Sequence, residues 1–294
     1  MPDRTADVVS SAGGGVGSAA DYPADMARIL ALSSQVVSGH VGLSAIVPPL
    51  QRLGHEVLAM PTVLLSNHPG NPPSFGVRVD PATLDKIVDT LDAGGRLDGV
   101  AAVLTGYLPS IAHVATACVA IARCRARNKH LVVLCDPVIG DDPKGIYIDA
   151  GAAAAIRDIL LPEAAIVTPN RFELAWLSRR NVVDEASAID AARSLQRPLV
   201  IATSIPAAHG RLANLAITAG SVDEASVAIH RDVPNGTGDL FAGLFLSAYL
   251  SAPCSIAQAL AQAVAEVERV IAASAGKAEL QLTTIARSCS TVST

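Results

Sequence analysis

The stretch NGTGDLFAG, residues 235–243, sets two glycines and an aspartate directly ahead of the apolar run LFAGLFLSAYL. The apolar run reads as a buried helix, which puts Gly236, Thr237, Gly238 and Asp239 at its N-terminal end. The first amides of a helix lack intrahelical partners, and the helix dipole favours negative charge there. A carboxylate beside an anion site needs another task, such as taking a proton from a hydroxyl that attacks a phosphate. The competing reading of Asp239 is a helix cap after a glycine-rich turn.

Further polar groups cluster elsewhere. CDPVIGDDPKG places Asp136, Asp141, Asp142 and a lysine on a Pro/Gly-rich loop. Such a loop can hold Mg²⁺, which takes a few carboxylates and keeps waters and phosphate oxygens as its other ligands. Asp136 directly follows the apolar VVLC, where burial without a partner is costly, so it reads as a site residue; Asp142 reads as part of a solvated turn. In TPNRFEL, Thr168 and Asn170 open a helix, with Glu173 three residues after Asn170. That spacing is a capping box as much as a place for a ligand to metal-bound water. Thr203 and Ser204 can bond phosphate oxygens or simply finish a strand. SNHPG carries His68, GHVGLSA carries His40, and each histidine has a plain reading as a hydrogen-bonded loop residue. GHVGLSA does not match the GxGxxG spacing of a dinucleotide fold. Tyr107, in TGYLPS, can stack on a flat ring or pack.

The elements that must position these groups alternate along the chain. Strands are predicted at 28–33, 56–65, 99–104, 130–135, 164–168 and 198–203, with a β pair at 212–218 and 226–230. Helices are predicted at 41–53, bent by Pro48 and Pro49, and at 81–91, 111–127, 150–160, 171–177, 185–195, from 239 to before Pro253, and at 255–275. Repeated β-α units imply a mainly parallel, doubly wound sheet with its sites at the carboxyl ends of the strands. Each polar cluster follows a predicted strand.

Composition narrows the class. The 294 residues are 50% hydrophobic but only 3% aromatic, which suits a sheet wrapped by Ala-rich helices in one domain. A net charge of −5 and no basic cluster with interleaved aromatics exclude a nucleic-acid surface. Mean hydropathy is +0.40, yet the most apolar segment, 100–122, is interrupted by Gly106, Pro109, Ser110 and His113 and does not read as a membrane span. Five cysteines without CxxC or metal spacing imply reduced thiols in a cytoplasmic protein. Residues 1–25 read as a flexible tail without signal-peptide features, and the GGGVGS at 13–18 as part of it.

Together the segments SSQVVSGHVGLSA, TVLLSNH, TGY, CDPVIGDDPKG, TPNRFEL, ATS and NGTGDLFAGL resemble, in the same order, those of pyridoxal kinases of the ribokinase-like superfamily, over about 28–276. The resemblance implies a three-layer α/β kinase domain, here 26–290, that phosphorylates the 5′-hydroxymethyl group of pyridoxal, pyridoxine or pyridoxamine with ATP. It implies Asp239 as base and the amides of Gly236 to Asp239 as an anion hole. Ser34, Val63, His68 and Tyr107 would line the ring pocket. Asp136, Asp141, Tyr147, Thr168, Asn170, Glu173, Thr203, Ser204 and Thr237 would surround ATP, with Asp136 and Glu173 toward Mg²⁺. A monovalent cation such as K⁺, and a homodimer, are also implied.

The sequence departs from that family at Gln35, where histidine is common, at Pro69, where threonine is usual, and in the Pro-rich 71–76, which lacks a tryptophan often found there. These departures keep two alternatives open: a kinase for another hydroxymethyl heterocycle such as hydroxymethylpyrimidine, and a vitamer-binding protein without catalysis. Against the first, its usual motif has cysteine where Asp239 stands.

Overall fold

A computed structural model describes residues 26–251 and 254–285. The expected tail at 1–25, with GGGVGS, lies outside the described residues, as do Pro253 and Cys289. Strand β1 (Arg28–Val36) leads through helix α1 (Leu43–Arg52) to β2 (Glu56–Leu65), which pairs with a short β3 (Gly76–Arg78). Then come α2 (Pro81–Ala93), β4 (Val100–Thr105), α3 (Ile111–Arg127) and β5 (Val132–Cys135). A small hairpin of β6 (Gly140–Asp141) and β7 (Gly145–Ile146) precedes α4 (Ala150–Ala155), β8 (Ile166–Val167), α5 (Arg171–Ser178) and α6 (Glu185–Ser194). The described chain closes with β9 (Leu199–Ala207), β10 (Arg211–Ile217), β11 (Val222–Ala228), α7 (Thr237–Leu250) and α8 (Ile256–Ala273).

The main sheet has nine strands in the order β11-β10-β9-β8-β5-β4-β1-β2-β3. The six strands from β9 to β2 run parallel, while β10, β11 and β3 are antiparallel additions at the two edges. Residues of β1 alternate between the two faces, as a period of two requires. Leu30 and Leu32 join the core under α2, α3 and α4, whereas Ile29 and Ala31 join the core under α1, α7 and α8. A third cluster packs α5 and α6 on β9 and β10. Helix α7 is buried from Leu240 to Ser247 with no polar face, because α1 and α8 pack against it within one core cluster. Phe241, Phe245 and Tyr249 stack along it with ring centroids 6.0 and 6.1 Å apart. Among the described residues no helix is long and apolar enough to cross a membrane.

Several expectations need correction. β1 continues to Val36, so Ser34 lies inside the strand, beside a register shift against β2 between Ser33 and Ser34. β9 continues to Ala207, so Thr203 and Ser204 are also within a strand; Ser204 has φ 57°, next to the shift in pairing with β10. β11 begins at Val222 rather than Ser226, because a tight turn with Thr218 N–H donating to the Ser221 carbonyl lets Ile217 pair with Val222. The helix predicted at 150–160 stays α-helical only to Ala155 and widens to a π-helical turn at Ile156–Leu160. β3, β6 and β7, two or three residues each, are too short for a periodic signal.

Phe245 is fully buried in the α1–α7–α8 layer. Phe245→Ala should therefore cost about 3–5 kcal/mol in urea unfolding. A loss under about 1 kcal/mol would contradict this packing.

Candidate active site

Helix α7 starts on the sharp turn that the glycines foretell. Gly236 holds the cap position with φ 99°, a left-handed geometry that suits glycine. Packing excludes a side chain there as well, since a Cβ would lie 1.9 Å from the His40 carbonyl oxygen. Gly238, in contrast, has nothing within 4 Å of where a Cβ would stand, so the first turn of α7 is open to an approaching group. The amides of Thr237, Gly238 and Asp239 there have no intrahelical acceptors.

Asp239 does not cap its own helix. Its half-buried carboxylate accepts a hydrogen bond from the Gly42 amide, at the start of α1. Gly42 has φ 55°, and a Cβ on it would stand 2.2 Å from both the carbonyl and hydroxyl oxygens of Ser34. On the other side lies Gly106, after β4: a Cβ there would be 2.5 Å from Ser33 Oγ and 3.9 Å from Asp239 Oδ1. Burial pushes the Asp239 carboxyl up to about 6, against the Gly42 hydrogen bond, which lowers it. A carboxylate near 6 is ionised at neutral pH yet basic enough to take a proton.

Asp136, at the end of β5, is buried at 7% exposure and accepts from Thr168 Oγ1 at 3.1 Å. Burial, then the charges of Glu173 and Asp239, hold its carboxyl well above the usual range. Glu173 is 3% exposed. Its Oε1 accepts from Ile139 N–H at 2.8 Å and its Oε2 from Asn170 N–H at 3.0 Å, while Asn170 returns the capping box by accepting from Glu173 N–H. Burial pushes Glu173 up to about 7 despite these backbone donors. Tyr147, just after the hairpin, is 46% exposed, and desolvation with the charges of Glu173, Asp136, Asp141 and Asp239 raises its phenol. Asp141 is exposed on the β6–β7 hairpin, and Asp142, as expected, is exposed there too and pairs with Arg171.

The hydrogen-bond partners of Asp136 and Glu173 are backbone amides and the Thr168 hydroxyl, and among the described residues neither acid forms an ion pair with a basic side chain. Two buried acids without a countercharge fit a divalent cation. Among the described residues no three His, Cys, Asp or Glu side chains are grouped to hold one alone. This donor set suits Mg²⁺, which takes one or two carboxylates and leaves the rest of its shell to water and phosphate. Thr203 joins this edge through a bridge to Asn170, whose Nδ2 donates to the Gly140 carbonyl at 2.9 Å. Ser204 is exposed, and its N–H turns to Asn214.

Across the turn, Ser34 and Val63 are buried and Tyr107 is half-buried, its N–H donating to Ser33 Oγ and its carbonyl accepting from Thr62 Oγ1. His68 Nδ1 accepts from Gly70 N–H at 3.1 Å. Burial and the charge of Lys144 lower the His68 imidazole, with Glu279 opposing them. The Gln35 amide is engaged locally: its Nε2 donates to Ser44 Oγ at 2.7 Å and to the Val36 carbonyl at 2.9 Å. Sequence reasoning missed Gly42 and Gly106, although both stand in motifs that carry the family resemblance, GHVGLSA and TGY. A cavity of about 440 Å³ lined by Asp92, Asp98, Arg123, Ala126 and Arg127 lies away from these residues. Its two arginines already pair with Asp89, Asp92 and Asp98, so it offers no free charge.

Comparisons with known proteins agree on one family. Residues 77–283 match the model of the phosphomethylpyrimidine kinase family. The chain is 37% identical over 230 residues to a pyridoxal kinase of Deinococcus radiodurans, covering 74% of this chain and 77% of that one. It is also 37% identical, over 222 residues, to a pyridoxine/pyridoxal/pyridoxamine kinase of Bordetella avium, covering 72% and 74%. A structure of Leishmania donovani pyridoxal kinase with ADP and pyridoxamine superposes with a TM-score of 0.81 at 34% identity, covering 87% of this chain and 93% of that one.

The raised Asp239 carboxyl has a thermodynamic signature. Folded Asp239 keeps its proton up to about 6, against a reference of 3.8, so it lowers stability as pH rises through that window and adds nothing further above it. Asp239→Asn removes this cost. Its melting temperature relative to wild type should rise between about pH 4 and 6 and then level off, with a gain on the order of 1–3 kcal/mol. A variant less stable than wild type at pH 7.5 would contradict a buried, disfavoured charge.

Proposed function

The chain belongs to the pyridoxal kinases, within the phosphomethylpyrimidine kinase family and the ribokinase-like fold, and is a kinase that acts on pyridoxal; we propose that Asp239 is the base of its phosphoryl transfer. The observation that carries this is a carboxylate raised to about 6, held by the Gly42 amide at the open first turn of α7. The 5′-hydroxyl oxygen attacks the γ-phosphorus of ATP while its proton passes to Asp239. The bond from that phosphorus to the β–γ bridging oxygen breaks, and ADP leaves. The amides of Thr237, Gly238 and Asp239 face the developing charge on the transferred group, and positioned donors of this kind carry much of such catalysis.

In this reading Ser34, Val63, His68 and Tyr107 orient the pyridine ring, and Thr168, Asn170, Thr203, Ser204, Asp141 and Tyr147 surround the nucleotide. Asp136 and Glu173 would hold Mg²⁺, which supplies positive charge against the phosphate oxygens when bound. K⁺ is an expectation from the family resemblance alone. Cys118, Cys124, Cys135 and Cys254 are unpaired, in keeping with a reducing, cytoplasmic setting. Leu64, Phe75 and Val77 are exposed on and beside edge strand β3, and such an apolar edge supports a homodimer.

Purified protein with MgATP should convert pyridoxal to its 5′-phosphate, followed by absorbance, in preference to hydroxymethylpyrimidine. Asp239→Ala should lose about 10²–10⁴ in kcat. For the wild type, kcat/KM should fall as pH drops below about 6, because protonated Asp239 cannot take the hydroxyl proton. An unchanged kcat in Asp239→Ala would remove it from the mechanism. Light scattering should give a dimer that Phe75→Glu weakens, and a monomeric wild type at micromolar concentration would refute that assembly.

A further inference from the structure

Asp149 stands at the N-cap of α4, where an aspartate ordinarily caps its own helix. Here its side chain makes no cap bond. Both carboxylate oxygens instead accept from Arg78: Nη1 donates to Oδ2 at 3.0 Å and Nη2 to Oδ1 at 3.1 Å. The side chains are 52% and 50% exposed, so the pair adds little stability. A helix cap is given up for it. Stability does not explain that exchange, so position must.

The two partners come from opposite halves of the site. Arg78 lies on β3 directly across the ladder from Val63, so the two side chains leave the sheet on the same face. Asp149 follows Tyr147 by two residues, and Tyr147 N–H donates to the Ile139 carbonyl, which ties the end of the hairpin back to the loop that caps Glu173. The Tyr107 phenol lies within the electrostatic reach of both Arg78 and Asp149. Among the described residues, no other hydrogen bond or ion pair joins 66–79 to 140–150.

We propose that Arg78 and Asp149 form a positioning clasp that holds the β6–β7 hairpin of the nucleotide side against β3 and Tyr107 of the ring side, so that the two substrate sites are set together. Neither residue touches a reacting atom. The proposal rests on the kinase reading for its catalytic consequence, but the clasp itself can be tested without turnover.

Arg78→Gln, Asp149→Asn and the exchanged pair Arg78→Asp with Asp149→Arg should be compared with wild type. Asparagine is itself a good cap, so Asp149→Asn should keep its melting temperature. Each single variant should raise KM for both pyridoxal and ATP about threefold or more with kcat within about twofold, and the exchanged pair should restore most of the loss. Amide hydrogen exchange at 140–147 should speed up in both single variants and return toward wild type in the exchanged pair. Unchanged exchange at the hairpin overturns the clasp whether or not the protein is active. Absence of pyridoxal phosphate from wild type, with hairpin exchange responding in this way, would sink the kinase reading and leave the clasp standing. Unchanged KM values in an active protein would overturn the claimed coupling.

Discussion

At the carboxyl edge of the sheet, segments remote in the chain approach one another more closely than a methyl group would allow. Gly236 abuts the His40 carbonyl, Gly42 abuts Ser34, and Gly106 abuts Ser33, each with less than 3 Å to the place a Cβ would occupy. These contacts close a tight frame beside Asp239. The frame removes water from the carboxylate, which raises its proton affinity, and delivers the Gly42 amide that keeps it oriented. A side chain at any of the three glycines would force these segments apart.

Around that frame the protein gathers buried carboxyl groups where folding alone would disperse them. Asp136 and Glu173 are nearly inaccessible, and both bind protons more tightly than exposed carboxyls do. Glu173 is kept in place by backbone amides from the loop after β5 and by its capping box on α5, so ordinary helix and loop chemistry fixes its position. Among the described residues neither carboxylate pairs with a basic side chain, and that arrangement suits a cation. Sites of this kind depart from the most stable arrangement because function requires it.

Much of this was legible in the chain. Alternating apolar runs located the parallel strands and most helices, since burial on one or two faces writes its period into the sequence. Asp136, Glu173 and Asp239 could be picked out because each follows or opens an apolar element where a charged side chain needs a reason. The capping box at Asn170 and Glu173 was visible as spacing, and the structure makes it a cap whose glutamate also joins the acid cluster. Gln35, a departure from the family pattern, braces the start of α1 through Ser44. The strands of the hairpin and β3 escaped notice because two or three residues carry no period.

By itself, the sequence determined the α/β class, the order of its elements, and the glycine turn with its aspartate, because local periodicity and backbone preference are written in neighbouring residues. Tertiary structure alone decided which distant backbone donor holds Asp239, how far burial raises each acid, and that Arg78 reaches Asp149 across 71 residues. Those outcomes depend on distances between segments remote in the chain, and no local pattern encodes them.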